Sequence, residues 1–159
     1  SVKEYWWLRF PFEIHFGWIT AALLLNINVL VIHQGADASM QLAFAVFTHA
    51  LLLTVSTFSL YGLSKAIFTI PVVVSWATWW MFIELKSPKP LIFQTFSSDV
   101  IGGMGIASLG FSSMVVVLVA LRALIHSMNE MIYGDRAATD HSLPNIDGTQ
   151  QQGLLQNAA

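Results

Sequence analysis

The 22 residues between Asp99 and Arg122 read VIGGMGIASLGFSSMVVVLVAL and contain no charged side chain. Three further uncharged stretches, of 23, 27 and 18 residues, precede Glu84. A helix needs roughly 20 mostly apolar residues to cross the hydrocarbon core of a bilayer. Backbone polar groups in hydrocarbon must be paired within the spanning segment, which favours helices over isolated strands. We therefore predict an all-α, polytopic membrane protein: a bundle of four transmembrane helices with a polar C-terminal tail.

The composition of the whole 159-residue chain agrees with this fold class. The chain is 55% hydrophobic and 10% charged, whereas soluble domains carry about 25% charged residues. A net charge of −2 provides no basic stripe to neutralise phosphates, so nucleic acid is excluded as a partner. The absence of cysteine excludes disulfide scaffolds, Cys-ligated zinc and iron–sulfur clusters.

Polar breaks place the four spans at about 12–32, 41–60, 65–84 and 100–125, within a transmembrane domain of residues 1–128. Pro88 and Pro90 end the third span, because proline lacks a backbone donor and restricts the residue before it. The partly apolar residues 91–96 are predicted to form a loop in the membrane interface. Five Lys and Arg residues against two place the termini on the cytoplasm-equivalent side, stromal or matrix in an organelle.

The C-terminal tail, residues 129–159, is polar and includes the run Gln150–Gln152. Its composition is typical of disordered segments. A tail without a core becomes ordered only when another surface holds it. We predict that the tail docks onto a partner subunit; a fold-back onto the protein's own loops is the alternative.

A polar stripe runs along the first span. His15, Asn26 and His33 lie within roughly 20° of one line on a helix, and Trp18 flanks that line. Because polar groups in a membrane helix avoid lipid, the stripe is expected to face protein or a cavity. One interpretation is that each histidine binds the metal of a tetrapyrrole near one membrane surface. The other is interhelical hydrogen bonding with imidazoles at the interface.

Further candidate ligands lie on the first two spans. His49 is an ionisable residue in mid-span, which is a functional hypothesis by default, although a hydrogen bond to a neighbouring helix explains it equally well. Glu13 lies four residues after Arg9 near a helix start, where a paired carboxylate is favoured by the helix dipole. Glu13 could also bind a metal, and Gln34 is a weaker candidate.

The third span carries an aromatic and acidic stripe, Trp76, Trp80 and Glu84. Tryptophan rings offer a flat surface for a planar ligand, although anchoring at the membrane interface is the alternative. Phosphate loops and the common hydrolase and metalloprotease motifs are absent from the sequence, so we expect no catalysis.

Two short runs in these spans carry a family resemblance. Pro11–Ala22 reads PFEIHFGWITAA and is followed by Asn26, while Val74–Ala77 reads VSWA. Both runs resemble the long form of the TspO/MBR-related tryptophan-rich sensory proteins, over about residues 9–85. The resemblance implies a helical bundle that binds porphyrins and sterol-like lipids.

Two functions from different classes follow. The principal prediction is a non-catalytic accessory subunit of a large membrane complex, for example a photosynthetic one in the thylakoid, that binds chlorophyll or a related tetrapyrrole together with lipids. The alternative is a TspO-like receptor or translocator for porphyrin or lipid, and a haem anchor using His15 and His126 is a third possibility. Three histidines are the predicted axial ligands of the tetrapyrrole magnesium: His15, His33 and His49. The other predicted binding residues are Glu13, Gln34, Asn26, Trp18, Trp76 and Trp80.

Overall fold

The protein is predominantly helical in the part that the computed structural model describes, residues 2–63 and 65–142, with backbone alone at Val2 and at 133–142. No strand occurs in these residues, and the prediction of an all-α, polytopic membrane protein is confirmed. Two π-helical turns adjoin α2 and α3, at Tyr5–Arg9 and Phe58–Gly62. The helices are α1 (Val2–Glu4), α2 (Phe10–His33), α3 (Ala38–Thr57), α4 (Thr69–Lys86), α5 (Pro90–Thr95) and α6 (Ser98–Ser142).

Three helical segments of the described chain are long and apolar enough to cross a membrane: Tyr5–His33, Ala38–Gly62 and Ser98–Ile132. The third predicted span, residues 65–84, corresponds to α4, which has 18 residues and is about 27 Å long. Seven of its residues are buried, against three of 24 in α2 and four of 20 in α3. Only lipid-facing positions must be apolar, so an enclosed helix can carry more polar residues. Its crossing of the membrane stays a prediction.

Local chemistry decides where these helices begin and end. Gly35 follows α2 with a φ of 72°, a left-handed conformation that glycine adopts without strain. Asp37 caps α3 by accepting a 2.9 Å hydrogen bond from the Met40 amide, as short polar side chains do at helix starts. Helix α4 begins at Thr69 rather than at residue 65, the predicted start of the third span. Pro71 therefore lies in the first turn of α4, where proline is tolerated.

The predicted interfacial loop contains a helix. Pro90 occupies the first position of α5, where its missing N–H group would have no helical partner. The last helix also departs from the prediction, because α6 continues to Ser142 instead of ending near residue 125. Its C-terminal residues are rich in helix-forming types and contain no proline before Pro144. Residues 143–159 lie outside the described residues, so docking by the tail stays a prediction.

The chain forms two compact units, Ser1–Arg122 and Ala123–Ala159. The core of the first unit joins α2, α3 and α4 through small and branched side chains: Ala21, Leu24, Leu52, Val74 and Ala77. In the second unit, Nδ1 of His126 lies 3.8 Å from a carboxylate oxygen of Glu130, one turn along α6. The predicted pairing of His126 with His15 on a haem stays a prediction.

Two buried serines join α4 to α6. The hydroxyl of Ser112 donates to the Ser75 carbonyl oxygen over 2.9 Å, and the two Oγ atoms lie 3.1 Å apart. The Ser75 hydroxyl also lies 3.2 Å from the Ser112 carbonyl oxygen. Since hydrocarbon offers no water as a competing partner, each serine satisfies the other.

We expect Ser75→Ala and Ser112→Ala each to lower the free energy of unfolding by about 0.6 kcal/mol, the average for hydrogen bonds between membrane helices. The double variant should lose less than the sum, because both substitutions remove the same contact. Unfolding in detergent–SDS mixtures measures the three values, with the exposed Ser113→Ala as the control. Strictly additive losses would show that the two hydroxyls do not interact.

Candidate ligand-binding cavity

A cavity of about 530 Å³ lies within the unit Ser1–Arg122. Side chains from α2, α3, α4, α5 and the first turns of α6 line it. Its volume falls within the range of roughly 300–1,000 Å³ that is common for small-molecule sites. Most of its wall is aliphatic, including Ala22, Leu25, Leu42, Ala45, Met81 and Ile101.

One wall of the cavity is a tryptophan cluster formed by Trp18, Trp76 and Trp80. The ring centroids of Trp18 and Trp76 lie 5.2 Å apart, and those of Trp76 and Trp80 lie 6.0 Å apart. Residues four apart share one face of a helix, which brings the two α4 rings together. Each ring is about half exposed, at 47%, 51% and 48%. The cluster therefore presents aromatic surface both to the cavity and to the outside of the bundle.

His49 forms part of the wall at a buried position, with 5% of its surface exposed. Its Nδ1 lies 2.9 Å from the Ala45 carbonyl oxygen, and its Nε2 lies 2.9 Å from the Ser108 hydroxyl. A carbonyl oxygen can only accept, so Nδ1 carries the proton and donates. In the neutral ring, Nε2 is then an acceptor, and it shares the single hydrogen of the Ser108 hydroxyl with the Met104 carbonyl oxygen, which lies 2.9 Å from that hydroxyl. Both ring nitrogens are thus already engaged by the protein.

Two amide side chains on the wall have orientations that their partners determine. Nδ2 of Asn28 donates to the Leu24 carbonyl oxygen over 2.8 Å and to the Thr48 hydroxyl over 2.6 Å. Nε2 of Gln41 donates to the Ala36 carbonyl oxygen over 2.8 Å. Because a carbonyl must face the nitrogen of an amide, neither side chain can be flipped. Both side-chain oxygens are therefore left as acceptors.

Glu84 is the only formally charged side chain among the described residues that line the cavity. Its carboxylate has no hydrogen-bond or ion-pair partner among the described side chains, those of residues 3–63 and 65–132. Lys86, two residues later, holds its Nζ over the Phe82 ring, 4.8 Å from the centroid. Arg122 donates to the Leu60 carbonyl oxygen and does not line the cavity.

Comparison with known proteins identifies the family. The family described as TSPO-like protein matches residues 1–109, which is more than half of the chain. The chain belongs to the TSPO-like protein family. The match confirms the resemblance found in the sequence and extends it beyond residue 85, into the glycine-rich start of α6. No curated protein and no solved structure matches the chain significantly.

The cavity of this TSPO-like protein brings together four of the nine predicted site residues: Trp18, His49, Trp76 and Trp80. The other five do not line it: Glu13, His15, Asn26, His33 and Gln34. His15, Asn26 and His33 are exposed, on the side of α2 opposite the buried Gly17 and Leu24. Ligand binding by these residues stays a prediction, and any ligand they hold would lie outside the cavity.

Glu13 links the start of α2 to the start of α4. The Thr69 hydroxyl donates to Oε2 of Glu13 over 2.7 Å, and the Tyr5 hydroxyl lies 3.1 Å from the Thr69 hydroxyl and 3.4 Å from Glu13. No ion pair between Arg9 and Glu13 is present in the described part of the chain, contrary to the expected pairing. The carboxylate instead satisfies two hydroxyl groups that bring the N-terminal segment against α4.

The sequence reasoning missed Asn28, Gln41 and Ser108 as cavity residues. The sequence does contain a signal for Asn28. At a rotation of 100° per residue, Asn28 falls on the same side of α2 as Trp18 and Leu25. Gln41 was treated as the first residue of a span, although the Asp37 cap places it in the first turn of α3. Ser108 comes from the glycine-rich helix, where small residues were interpreted as packing positions.

Metal binding by the cavity finds no support in the described residues. They contain no group of three or more His, Cys, Asp or Glu side chains that could hold a metal ion. An axial bond from His49 to a tetrapyrrole metal would require Nε2 to lose its Ser108 partner. The cavity therefore does not fit a tetrapyrrole whose metal depends on His49, and the axial-ligand role of the three histidines stays a prediction.

Proposed function

We propose that this TSPO-like protein is a non-catalytic receptor or translocator that binds an apolar membrane ligand, a tetrapyrrole or a lipid, in the cavity. The observation that carries the proposal is the tryptophan cluster on the wall of an otherwise aliphatic cavity. Small-molecule sites of this kind combine apolar walls with a few oriented polar groups. The family to which the chain belongs supports the same class of ligand.

The placement of the tryptophan cluster favours a ligand that enters from the bilayer. Indole rings offer large, flat contact surfaces, and aromatic contacts add stabilisation beyond the area that they bury. Because each of the three rings is about half exposed, the cluster is accessible from outside the bundle. Trp79 has a different role, since its ring packs on Phe82 and does not line the cavity. Anchoring in the membrane interface suits Trp79.

A lipid or a metal-free tetrapyrrole matches the polar groups of the cavity, because neither needs an axial ligand. Chlorophyll as the cofactor depends on histidines that do not line the cavity or are already hydrogen-bonded. Membership of a photosynthetic complex was predicted from the C-terminal tail as well, and residues 143–159 lie outside the described residues. No contact among the described residues favours that accessory-subunit function over the receptor. The thylakoid location and the side of the termini likewise remain predictions.

Tryptophan emission tests the proposal. Purified protein in detergent should lose emission on titration with protoporphyrin dimethyl ester, and a sterol should compete for the same site. Trp76→Phe should reduce the quenched fraction, because it removes an emitter from the cavity wall. Trp79→Phe on the same helix is the control and should leave the quenched component intact. The absence of saturable quenching or of competition would contradict the proposed function.

A further inference from the structure

The side of α2 that faces away from the bundle carries an asparagine without a partner. Asn26 is exposed, and its side-chain amide makes no hydrogen bond among the described side chains and backbone of residues 3–63 and 65–132. Asn28, two residues later, faces the bundle and donates to both Leu24 and Thr48. By the rise of a helix, Asn26 lies only about 6 Å from the middle of the predicted span 12–32. Its amide is therefore in hydrocarbon, where an unmet hydrogen bond is costly.

Polar side chains at exposed positions of α3 need no partner of this kind. The hydroxyls of Thr54 and Thr57 each donate to the carbonyl oxygen one turn earlier on the same helix, over 2.8 Å and 2.9 Å. Threonine satisfies itself in this way within any helix. The amide of Asn26 makes no such bond to its own helix, so its partner must come from another molecule.

Asn26 belongs to a regular row of exposed side chains along α2. The row, which we call the outer face of α2, has members alternately three and four residues apart: Phe16, Ile19, Leu23, Asn26, Leu30 and His33. Not one of these six side chains lines the cavity. The spacing is the seven-residue repeat by which two helices pack as a left-handed coiled coil, and membrane helices commonly pack in the same way. The outer face is thus suited to a second helix along its whole length.

The polar groups of the outer face fit a second copy of this chain. Two copies inserted in the same orientation are related by a two-fold axis along the membrane normal, so equivalent residues meet at equal depth. Each Asn26 would then face the other, and because an amide both donates and accepts, the two satisfy one another. The neutral ring of His33 also has one donor and one acceptor. No lysine, arginine, aspartate or glutamate belongs to the outer face, so no like charges meet.

We propose that the protein forms a parallel homodimer through the outer face of α2, in which the two Asn26 side chains hydrogen-bond to each other. One asparagine in an otherwise apolar seam fixes the register and the number of chains. A partner of another kind needs a matching polar group at the depth of Asn26, whereas a second copy supplies it by symmetry. The inference goes beyond ligand binding and is independent of it, because the outer face and the cavity share no residue.

Disulfide crosslinking maps the interface, since the chain has no cysteine of its own. Ile19→Cys in lipid vesicles should form a covalent dimer on oxidation, because equivalent residues of the two-fold seam lie within the short Cα–Cα reach of a disulfide. Val46→Cys on α3 and Val116→Cys on α6 are the controls and should stay monomeric. These two valines are exposed at 54% and 55%, against 51% for Ile19. Dimers linked through either valine and not through Ile19 would overturn the proposal.

Variants of Asn26 measure its contribution to the dimer. Energy transfer between donor- and acceptor-labelled copies, each labelled at a cysteine that replaces Val116, gives the dissociation constant on dilution in lipid. Asn26→Leu should weaken the dimer about five- to thirtyfold, equivalent to the roughly 1–2 kcal/mol found for hydrogen bonds between membrane helices in model peptides. Asn26→Gln keeps an amide and should weaken it less. Thr54→Leu is the matched control, because the hydroxyl that it removes bonds within α3.

Two further results would contradict the inference. Wild-type protein that stays monomeric at every protein-to-lipid ratio would exclude the homodimer and assign the outer face to a different partner. A dimer that Asn26→Leu weakens no more than Thr54→Leu does would show that Asn26 does not hold the copies together. Because Asn26 is exposed, its substitution should leave the helix content measured by circular dichroism unchanged. Loss of the dimer is therefore distinguishable from loss of the fold.

Discussion

Ala45→Phe is expected to weaken the binding of protoporphyrin dimethyl ester at least about tenfold, equivalent to 1.4 kcal/mol. Ala45 lies on the cavity wall in α3, and a phenyl ring there would occupy space that the ligand needs. The hydrogen bond from His49 goes to the backbone oxygen of Ala45, so the substitution does not remove it. Titration followed by tryptophan emission gives the change in dissociation constant.

Ala43→Phe is the matched control for this experiment. Ala43 lies on the same helix, is exposed and does not line the cavity. The added ring should leave the affinity within about twofold of wild type, because it does not enter the cavity, and exposed substitutions rarely change the free energy of unfolding by more than about 0.5 kcal/mol. Equal loss of affinity in both variants, or no loss in Ala45→Phe, would show that the ligand binds elsewhere.

Gly17→Leu is expected to lower the free energy of unfolding by about 1–3 kcal/mol, the usual cost of overpacking. A Cβ atom at Gly17 would meet Val73 Cβ at 3.1 Å and the Ile70 backbone at 3.5 Å. Glycine thus permits the close approach of α2 and α4. The Cβ atom of Val73 is attached directly to the α4 backbone and cannot rotate away, so the bulk of a leucine at this position must push the two helices apart. Thermal unfolding in detergent measures the loss.

Gly102→Leu provides the comparison on α6. A Cβ atom added at Gly102 would meet nothing within 4 Å. Replacing a helical glycine there should be neutral or stabilising, because glycine disfavours helix by up to about 1 kcal/mol. A melting temperature for Gly17→Leu equal to that of Gly102→Leu would contradict the close packing of α2 on α4.

Uncharged stretches of sequence predicted the helical membrane fold, because the thickness of the bilayer sets the number of apolar residues that each spanning helix needs. The same criterion cannot settle α4, whose enclosure relaxes the demand for apolar residues. Helix ends required local chemistry: the prolines and Asp37 shift predicted boundaries by a few residues. The continuation of α6 to Ser142 was missed. The polar residues that follow the span were interpreted as the end of the helix, although they mark only the end of the apolar segment.

The candidate site could be predicted only in part. Trp76 and Trp80 share a helix face, so their spacing alone indicated a common surface, and His49 stood out as an ionisable residue in an apolar span. The stripe of His15, Asn26 and His33 was predicted to face protein or a cavity, yet these residues are exposed on α2. The sequence periodicity shows which residues share one face of α2, but it does not show which face turns toward the bundle. The packing of α2 against α4 determines that orientation. The Ser108 partner of His49 comes from α6, 59 positions later, and no local pattern predicts such a pairing.

Photo-crosslinking tests the central claim, ligand binding in the cavity, most directly. The protein in detergent would be irradiated with a diazirine-bearing sterol that keeps its 3-hydroxyl, and labelled peptides would be mapped by mass spectrometry. We predict labelling on the cavity wall, at residues such as Leu25, Met81 and Met104, and its loss with excess cholesterol or in Ala45→Phe. Labelling confined to exposed positions that do not line the cavity, such as Ile106, Val116 and Val117, and unaffected by competitor, would contradict the account.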